Sequence, residues 1–170
     1  VVGMTLAAKG RQLLGDEDAA AALPYLVNAD RSFDRCPTNL TSSLDNVGLL
    51  QLDICRCYAM LGDVTAVDDA EARLLRAETS MRLDAGFLRA ALNAAKAGKT
   101  LPPRLIPVAR LKLLQAVARR ARGLAADFAD ARALLQGLSV DPQPLLSLGA
   151  SKVQAVAALR RAEGNIDMAA

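Results

Sequence analysis

Residues 44–77, LDNVGLLQLDICRCYAMLGDVTAVDDAEARLLRA, read as one complete unit of structure, a helical hairpin. Val47, Leu50, Ile54, Cys57 and Leu61 recur at alternating steps of three and four, which places them on one stripe of a helix about 27 Å long. Gly62-Asp63 then breaks that helix. Thr65 stands three residues before Asp68, a capping-box arrangement that satisfies free amides at a helix start. The same rhythm resumes in Val67, Ala70, Leu74, Ala77 and Met81. Two stripes joined by a tight turn are expected to face each other. Leu49 and Leu52 make the first helix apolar on a second side, so the hairpin is expected to be sandwiched between neighbours.

Upstream, residues 4–14 have a helical pattern, and Gly15-Asp16-Glu17-Asp18 forms a turn whose acids suit the start of the next helix. Ala22, Leu26, Ala29 and Phe33 continue at four-three-four spacing, the same stripe as Ala70, Leu74, Ala77 and Met81. Pro24 interrupts it. A proline inside a helix removes one backbone hydrogen bond at a cost of about 3 kcal/mol, so a kink or a late start is expected near it. Residues 36–43, CPTNLTSS, are rich in turn formers and read as a loop.

Downstream, an Ala-rich helix is expected over 84–97, followed by the breaker run Gly98-Lys99-Thr100-Leu101-Pro102-Pro103. Gly-Lys-Thr is part of a phosphate-loop signature, but Asn93 stands where that motif needs another glycine, and a helix rather than a strand precedes it. Nucleotide binding is not expected. Pro107 suits the first turn of a helix running to Arg122, with Leu111, Leu114, Ala118 and Ala121 on one stripe. Gly123 closes it, and Ala131, Leu135 and Leu138 repeat the pattern once more. The glycine turns at Gly15, Gly62 and Gly123 are thus each followed by an Ala-then-Leu signature, at Ala22, Ala70 and Ala131. This is an internal repeat, looser in spacing than the tetratricopeptide type but with the small residues that close helix crossing needs. The expected fold is all-α, tetratricopeptide-like stacked hairpins over residues 1–140 and a shorter module over 141–170.

Bulk properties agree with a helical core. Of 170 residues, 52% are hydrophobic and only 3% aromatic, so the core is built of Ala, Leu and Val, which favours closely packed helices. The longest uncharged stretch, residues 19–29, falls far short of the roughly 20 residues of a membrane span, and no charged-then-apolar leader is seen, so a soluble chain is expected. Beginning at Val1 rather than Met, it reads as an excerpt of a longer protein. Cys36, Cys55 and Cys57 are an odd count without CxxC spacing, which implies a reducing compartment. The net charge of +3 hides a gradient: residues 1–100 carry 11 basic and 13 acidic groups, residues 101–170 carry 10 and 5. Arg104, Arg110, Lys112, Arg119, Arg120 and Arg122 lack the interleaved aromatics of a nucleic-acid surface and read as a solvated helix face, so neither nucleic acid nor membrane is expected as a partner.

Catalytic chemistry is hard to place on this chain. It has no histidine, the commonest general base and metal ligand. Ser42 and Ser43 lack a partner base, and the cysteines fall on apolar helix faces. Asp53 is the one acid among apolar neighbours; an ion pair with Arg56, three residues on, is the plainer expectation, a polar contact in a groove the functional one. No enzyme activity, catalytic residue, metal or cofactor is expected.

From Asp141 the sequence changes to DPQPLLSLGASKVQAVAALRRAEGNIDMAA, whose short helices and sharp joints resemble a ubiquitin-associated domain. Residues 142–148 correspond to its first helix and Leu148-Gly149-Ala150 to its connecting loop. Ser151 with Gln154 makes a capping box, Ala158-Leu159 faces inward, and Gly164-Asn165-Ile166-Asp167 opens a third helix, incomplete at Ala170. Where that family usually has an aromatic in the loop, this chain has Ala150. A purely structural three-helix module is the alternative.

With the upstream segments Ala29-Asp30-x-x-Phe33, Leu44-Asp45-Asn46, Leu50-Gln51-Leu52-Asp53-Ile54, Cys57-Tyr58, Asp68-Asp69-Ala70-Glu71 and Val140-Asp141-Pro142, the chain resembles the family of negative regulators of ubiquitin-like proteins. The resemblance implies a non-catalytic adaptor, cytoplasmic and nuclear, that captures ubiquitin-like modifiers, the Nedd-type one among them, and delivers them and their conjugates to the proteasome. It also implies modifier contact through Leu148, Gly149, Ala150 and Met168. The alternative is a generic helical-repeat scaffold for a peptide, with the terminal module as a structural cap; an enzyme is the weakest of the three readings.

Overall fold

The computed structural model describes residues 2–36, 46–83, 85–102, 105–124 and 128–138. Every regular element among them is helical: α1 (Val2–Gly15), α2 (Ala19–Asp34), α3 (Asn46–Leu61), a 3₁₀ turn (Val64–Ala66), α4 (Val67–Ser80), α5 (Ala85–Lys96), α6 (Ile106–Ala121) and α7 (Ala129–Leu138). The all-α expectation holds.

The first hairpin, α1 with α2, closes through a turn in which the Asp18 carboxylate accepts the Ala21 N–H at 2.9 Å and so caps α2. Ala22, Leu26, Ala29 and Phe33 are all buried, as their spacing demands. The helix runs unbroken in assignment from Ala19 through Pro24, so the late start expected there does not occur. Small residues bring the two helices together: a methyl added at Gly10 would lie 2.6 Å from the Leu26 side chain. Only a residue without Cβ fits that crossing.

The second hairpin, α3 with α4, is indeed sandwiched, but its faces are assigned differently from the sequence reading. Leu50, Ile54 and Cys57 pack on α1 and α2, in one core with Leu14, Ala22, Leu26 and Ala29. The side that meets α4 is the other one, Leu52 and Cys55, against Ala70, Leu74 and Ala77. The two regular stripes therefore do not face each other: α3 gives its longer apolar stripe to the preceding hairpin, where more partners wait. Leu61, expected to extend that stripe, is exposed at the last position of the helix. Thr65 is not the cap either. Asp63 accepts both the Thr65 N–H at 3.0 Å and its hydroxyl, holding a 3₁₀ turn, while α4 starts at Val67 without a side-chain cap. Gly62 before it sits at φ 65°, which permits the reversal.

In the last three helices, Ala91, Ala95, Leu101, Leu105, Ile106, Ala109, Leu134 and Leu138 form a separate core. Gly98, at φ 68°, ends α5: its N–H reaches the Ala95 carbonyl and the Lys99 N–H that of Ala94. The Gly-Lys-Thr segment is thus a helix C-terminus, in line with the rejected phosphate-loop reading. Pro107 lies in the first turn of α6 as expected. Two details differ. Ala121 is exposed, and in α7 Leu134 is fully buried while Leu135 is only partly so. α6 links the halves, since Leu111, Leu114 and Ala118 join the core of Leu52, Cys55 and Leu74.

Candidate functional site

Two buried acids, Asp30 and Asp53, organise the polar chemistry of the described residues. Asp30 rises from α2 four residues after Leu26 and three before Phe33, and is therefore carried inside with the apolar stripe. Its Oδ1 accepts the Gln51 side-chain N–H at 2.7 Å, and its Oδ2 accepts from Arg73 Nη1 at 2.7 Å. Arg73 also donates to the side-chain amide oxygen Oε1 of Gln51 at 2.7 Å and through Nε to Asp69 at 2.6 Å; Asp69 in turn accepts the Tyr58 hydroxyl at 2.7 Å. One guanidinium so ties α2, α3 and α4 together. Burial pulls the Arg73 pKa down, but the hydrogen bonds it donates to Asp30 and Asp69 outweigh it and hold the guanidinium firmly charged. Asp69 is held below the usual carboxylate range, since Arg73 and Tyr58 outweigh its partial burial. The Tyr58 phenol is pushed up to about 12, first by burial and then by the Asp69 carboxylate it donates to.

Asp53 is the second centre. Asp53 stands within electrostatic reach of Arg56, and it takes two further partners from distant helices: Oδ2 accepts from Arg11 Nε at 2.7 Å and Oδ1 from Arg110 Nη2 at 2.5 Å. Three helices, α1, α3 and α6, meet on one carboxylate. A short-range rule could not find these partners, which lie 42 and 57 residues away in the chain. Arg110, Lys112 and Arg122 also leave the expected solvated face: Lys112 lies 3.8 Å from Glu78, and Arg122 pairs with Asp68 and with Glu71, the latter at 2.7 Å. Half of the basic run thus fastens α6 to α3 and α4. Arg119 and Arg120 are exposed. The sequence signal for Asp30 and Gln51 existed, since both stand at helical spacing on buried stripes, where a polar residue needs a partner.

Beside these centres an apolar cavity of about 100 Å³ opens where α3 turns into α4, lined by Cys55, Tyr58, Val64, Val67, Leu114 and Val117. Burial raises the Cys55 thiol to about 12 and the Cys57 thiol to about 11, the latter with help from Asp53, so neither is a nucleophile at neutral pH. Cys36 is exposed. Among the described residues no cluster of Cys, Asp and Glu could hold a metal ion, and no helix is long and apolar enough to cross a membrane. Leu148, Gly149, Ala150 and Met168, with the whole segment from Asp141, lie outside the described residues.

No family model matches the chain, and no solved structure does. The curated proteins give a clear relation. Human and mouse NEDD8 ultimate buster 1 are each 34% identical to this chain over 169 residues, 95% of its length. Asp30, Gln51, Asp53, Tyr58, Asp68, Asp69 and Glu71, all from segments that carried the family resemblance, are among the residues that the fold gathers into its polar contacts. The chain is thus similar, over nearly all of its length, to a region of NEDD8 ultimate buster 1, and it spans 27% of either relative.

Proposed function

We propose that this chain is a non-catalytic binding region of an adaptor that recognises a NEDD8-type ubiquitin-like modifier, or its conjugates, and promotes their proteasomal degradation. The observation that carries the reading is the 34% identity over 95% of the chain to proteins named for NEDD8. The absence of enzyme activity is part of the proposal. It is supported by the use to which the buried acids are put, since Asp30 and Asp53 are held by arginines rather than turned toward a cleft. The tetratricopeptide-like hairpins over 1–140 and the ubiquitin-associated module over 141–170 are proposed as its two parts, with Leu148, Gly149, Ala150 and Met168 as the modifier contact. A cytoplasmic and nuclear location goes with the reading. A second reading, a scaffold for an apolar peptide, is favoured by the cavity beside Val64 and Val67.

Pull-down with NEDD8 and with ubiquitin separates the two. The adaptor reading expects NEDD8 to be retained by residues 1–170 and lost from a chain ending at Val140. Retention by both chains moves the contact to the helical repeat, and retention by neither ends the modifier reading.

A further inference from the structure

We propose that the cavity where α3 turns into α4 receives one aliphatic side chain from a partner's peptide segment in which a lysine or arginine stands next to that residue, the cation meeting Asp63 at the mouth. This deepens the apolar-peptide reading, on which it rests. The floor of the cavity is apolar and closed, made by Cys55, Ala70, Leu74, Leu114 and Ala118, all of them buried. The mouth is open, because Ala59, Gly62, Asp63, Val64 and Ala121 line it as well and are exposed. Solvent reaches the site directly.

Size, shape and charge narrow the occupant. At about 100 Å³ the space is smaller than the cavity of roughly 150 Å³ that takes a benzene ring, so it suits the side chain of Leu, Ile or Met rather than an aromatic one. An open mouth would leave a free hydrocarbon wet on one side, whereas a side chain carries its own backbone there. The same turn exposes Met60 and Leu61 beside Val64, which gives that backbone further apolar surface to lie on. Asp63 decides the neighbour. Its carboxylate accepts the Thr65 hydroxyl and, at 3.0 Å, the Thr65 N–H, bonds that hold it below the usual carboxylate range and therefore charged, and among the described residues it pairs with no cation. Arg122, at the end of α6, is taken by Asp68 and Glu71. A lysine or arginine beside the anchor answers Asp63 and a glutamate is repelled by it; at an exposed position this sets preference more than affinity.

The test uses the isotope-labelled 170-residue chain and blocked pentapeptides, Gly-Lys-Leu-Lys-Gly and its Glu-Leu-Glu and Lys-Ser-Lys counterparts, titrated by amide chemical shift at low salt. The lysine-leucine peptide is expected to shift the amides of Ala59, Gly62, Val64 and Ala121 and to bind about fivefold tighter than the glutamate form. Replacing its leucine by serine is expected to weaken binding about tenfold. Asp63→Asn, which keeps an acceptor for Thr65, is expected to remove the preference for lysine and leave leucine-dependent binding. Ala118→Leu fills the floor, and Ala121→Phe, at an exposed position that cannot disturb the core, fills the mouth; each is expected to weaken both leucine peptides about tenfold. Should the lysine and glutamate peptides bind alike, or Asp63→Asn keep the lysine preference, the cationic neighbour is wrong while the apolar-peptide reading stands. Should neither leucine peptide shift these amides, both fall. Equal binding of the serine peptide, or parent-like binding by both filled variants, shows that the cavity is not what the peptide occupies and overturns the proposal. Shifts of the same amides on dilution of the chain alone would assign the cavity to a second copy and overturn it as well.

Discussion

Between α2, α3 and α4 the buried Asp30 and Gln51 meet a partly buried Arg73, whereas the core of α5, α6 and α7 is made of Ala91, Ala95, Leu101, Ile106, Ala109 and Leu134. Both regions bury helices of similar length and small side chains, yet only the first spends buried space on charge. Apolar contact is tolerant of sliding, because a leucine finds comparable neighbours one turn away. The Asp30, Gln51 and Arg73 trio has far fewer satisfying arrangements. It fixes which turn of α4 lies opposite which turn of α2 and α3, in the way a buried polar residue sets register in a coiled coil. In the second region the register is held by packing, by the Leu101 N–H on the Gly137 carbonyl at 2.9 Å, and by an exposed pair between Lys96 and Asp130.

The largest effect should come from removing Arg73. Arg73→Met keeps the length and apolar stem of the side chain but leaves Asp30 buried with a charge that only Arg76, 3.4 Å away and half in solvent, can answer. Breaking a buried pair from one side costs about 3–5 kcal/mol, which at this chain length lowers the melting temperature by roughly 6–20 °C. Thermal unfolding followed by circular dichroism measures it. A variant melting within 2 °C of the parent would mean that the trio orders the helices without stabilising them, and the contrast between the regions would be one of specificity alone.

How far this contrast could be read from the sequence depends on distance along the chain. The hairpins, the breaks at Gly62 and Gly123 and the inward stripes of α2 and α4 follow from local periodicity and were legible. The choice of facing partners was not. Leu50, Ile54 and Cys57 form a regular stripe in any environment, and nothing within α3 says that α1 and α2 claim it while Leu52 and Cys55 go to α4. Asp53 shows the same limit in polar form. Its local spacing points to Arg56, but nothing local points to Arg11 and Arg110, which reach it from other helices. Asp63 displaced Thr65 as the cap because the chain tightens into a 3₁₀ turn first, a choice made by backbone geometry rather than residue type. Of the candidate site, the residues implied by resemblance at 148–150 and 168 lie outside the described residues, while the arginine cluster carried no local pattern.

Alkaline titration should sharpen the comparison at intermediate cost. All three cysteines and both tyrosines precede residue 59, so α5–α7 have no thiol or phenol to ionise. In the folded chain Cys55 is raised from 9.0 to about 12 and Cys57 to about 11, chiefly by burial, and Tyr58 from 10.0 to about 12, by burial and then Asp69. A folded pKa above the unfolded one means that the neutral form is favoured in the fold. The corresponding stability is complete below about pH 9 and is lost as the pH rises through 11 to 12. The melting temperature is expected to fall over that window, and Cys55→Ala is expected to flatten the fall. Parallel curves for parent and variant would show that other groups drive the alkaline transition.

The smallest effect belongs to the second region's ion pair. Lys96 and Asp130 lie 3.2 Å apart, but their side chains are 57% and 41% exposed, so water screens the pair and two long side chains must be held still to make it. Lys96→Met should therefore cost no more than about 0.5 kcal/mol, a shift of melting temperature of roughly 1–2 °C. Arg76→Met is the matched case in the first region, since Arg76 meets Asp34 at 2.6 Å with comparable exposure. Arg76 also stands 3.4 Å from the buried Asp30, however, and that second contact should make its loss about twofold larger. Chemical denaturation of both variants resolves the difference. If Lys96→Met proves as costly as Arg76→Met, proximity to a buried carboxylate adds nothing, and the contrast between a charged and an apolar core would rest on Arg73 alone.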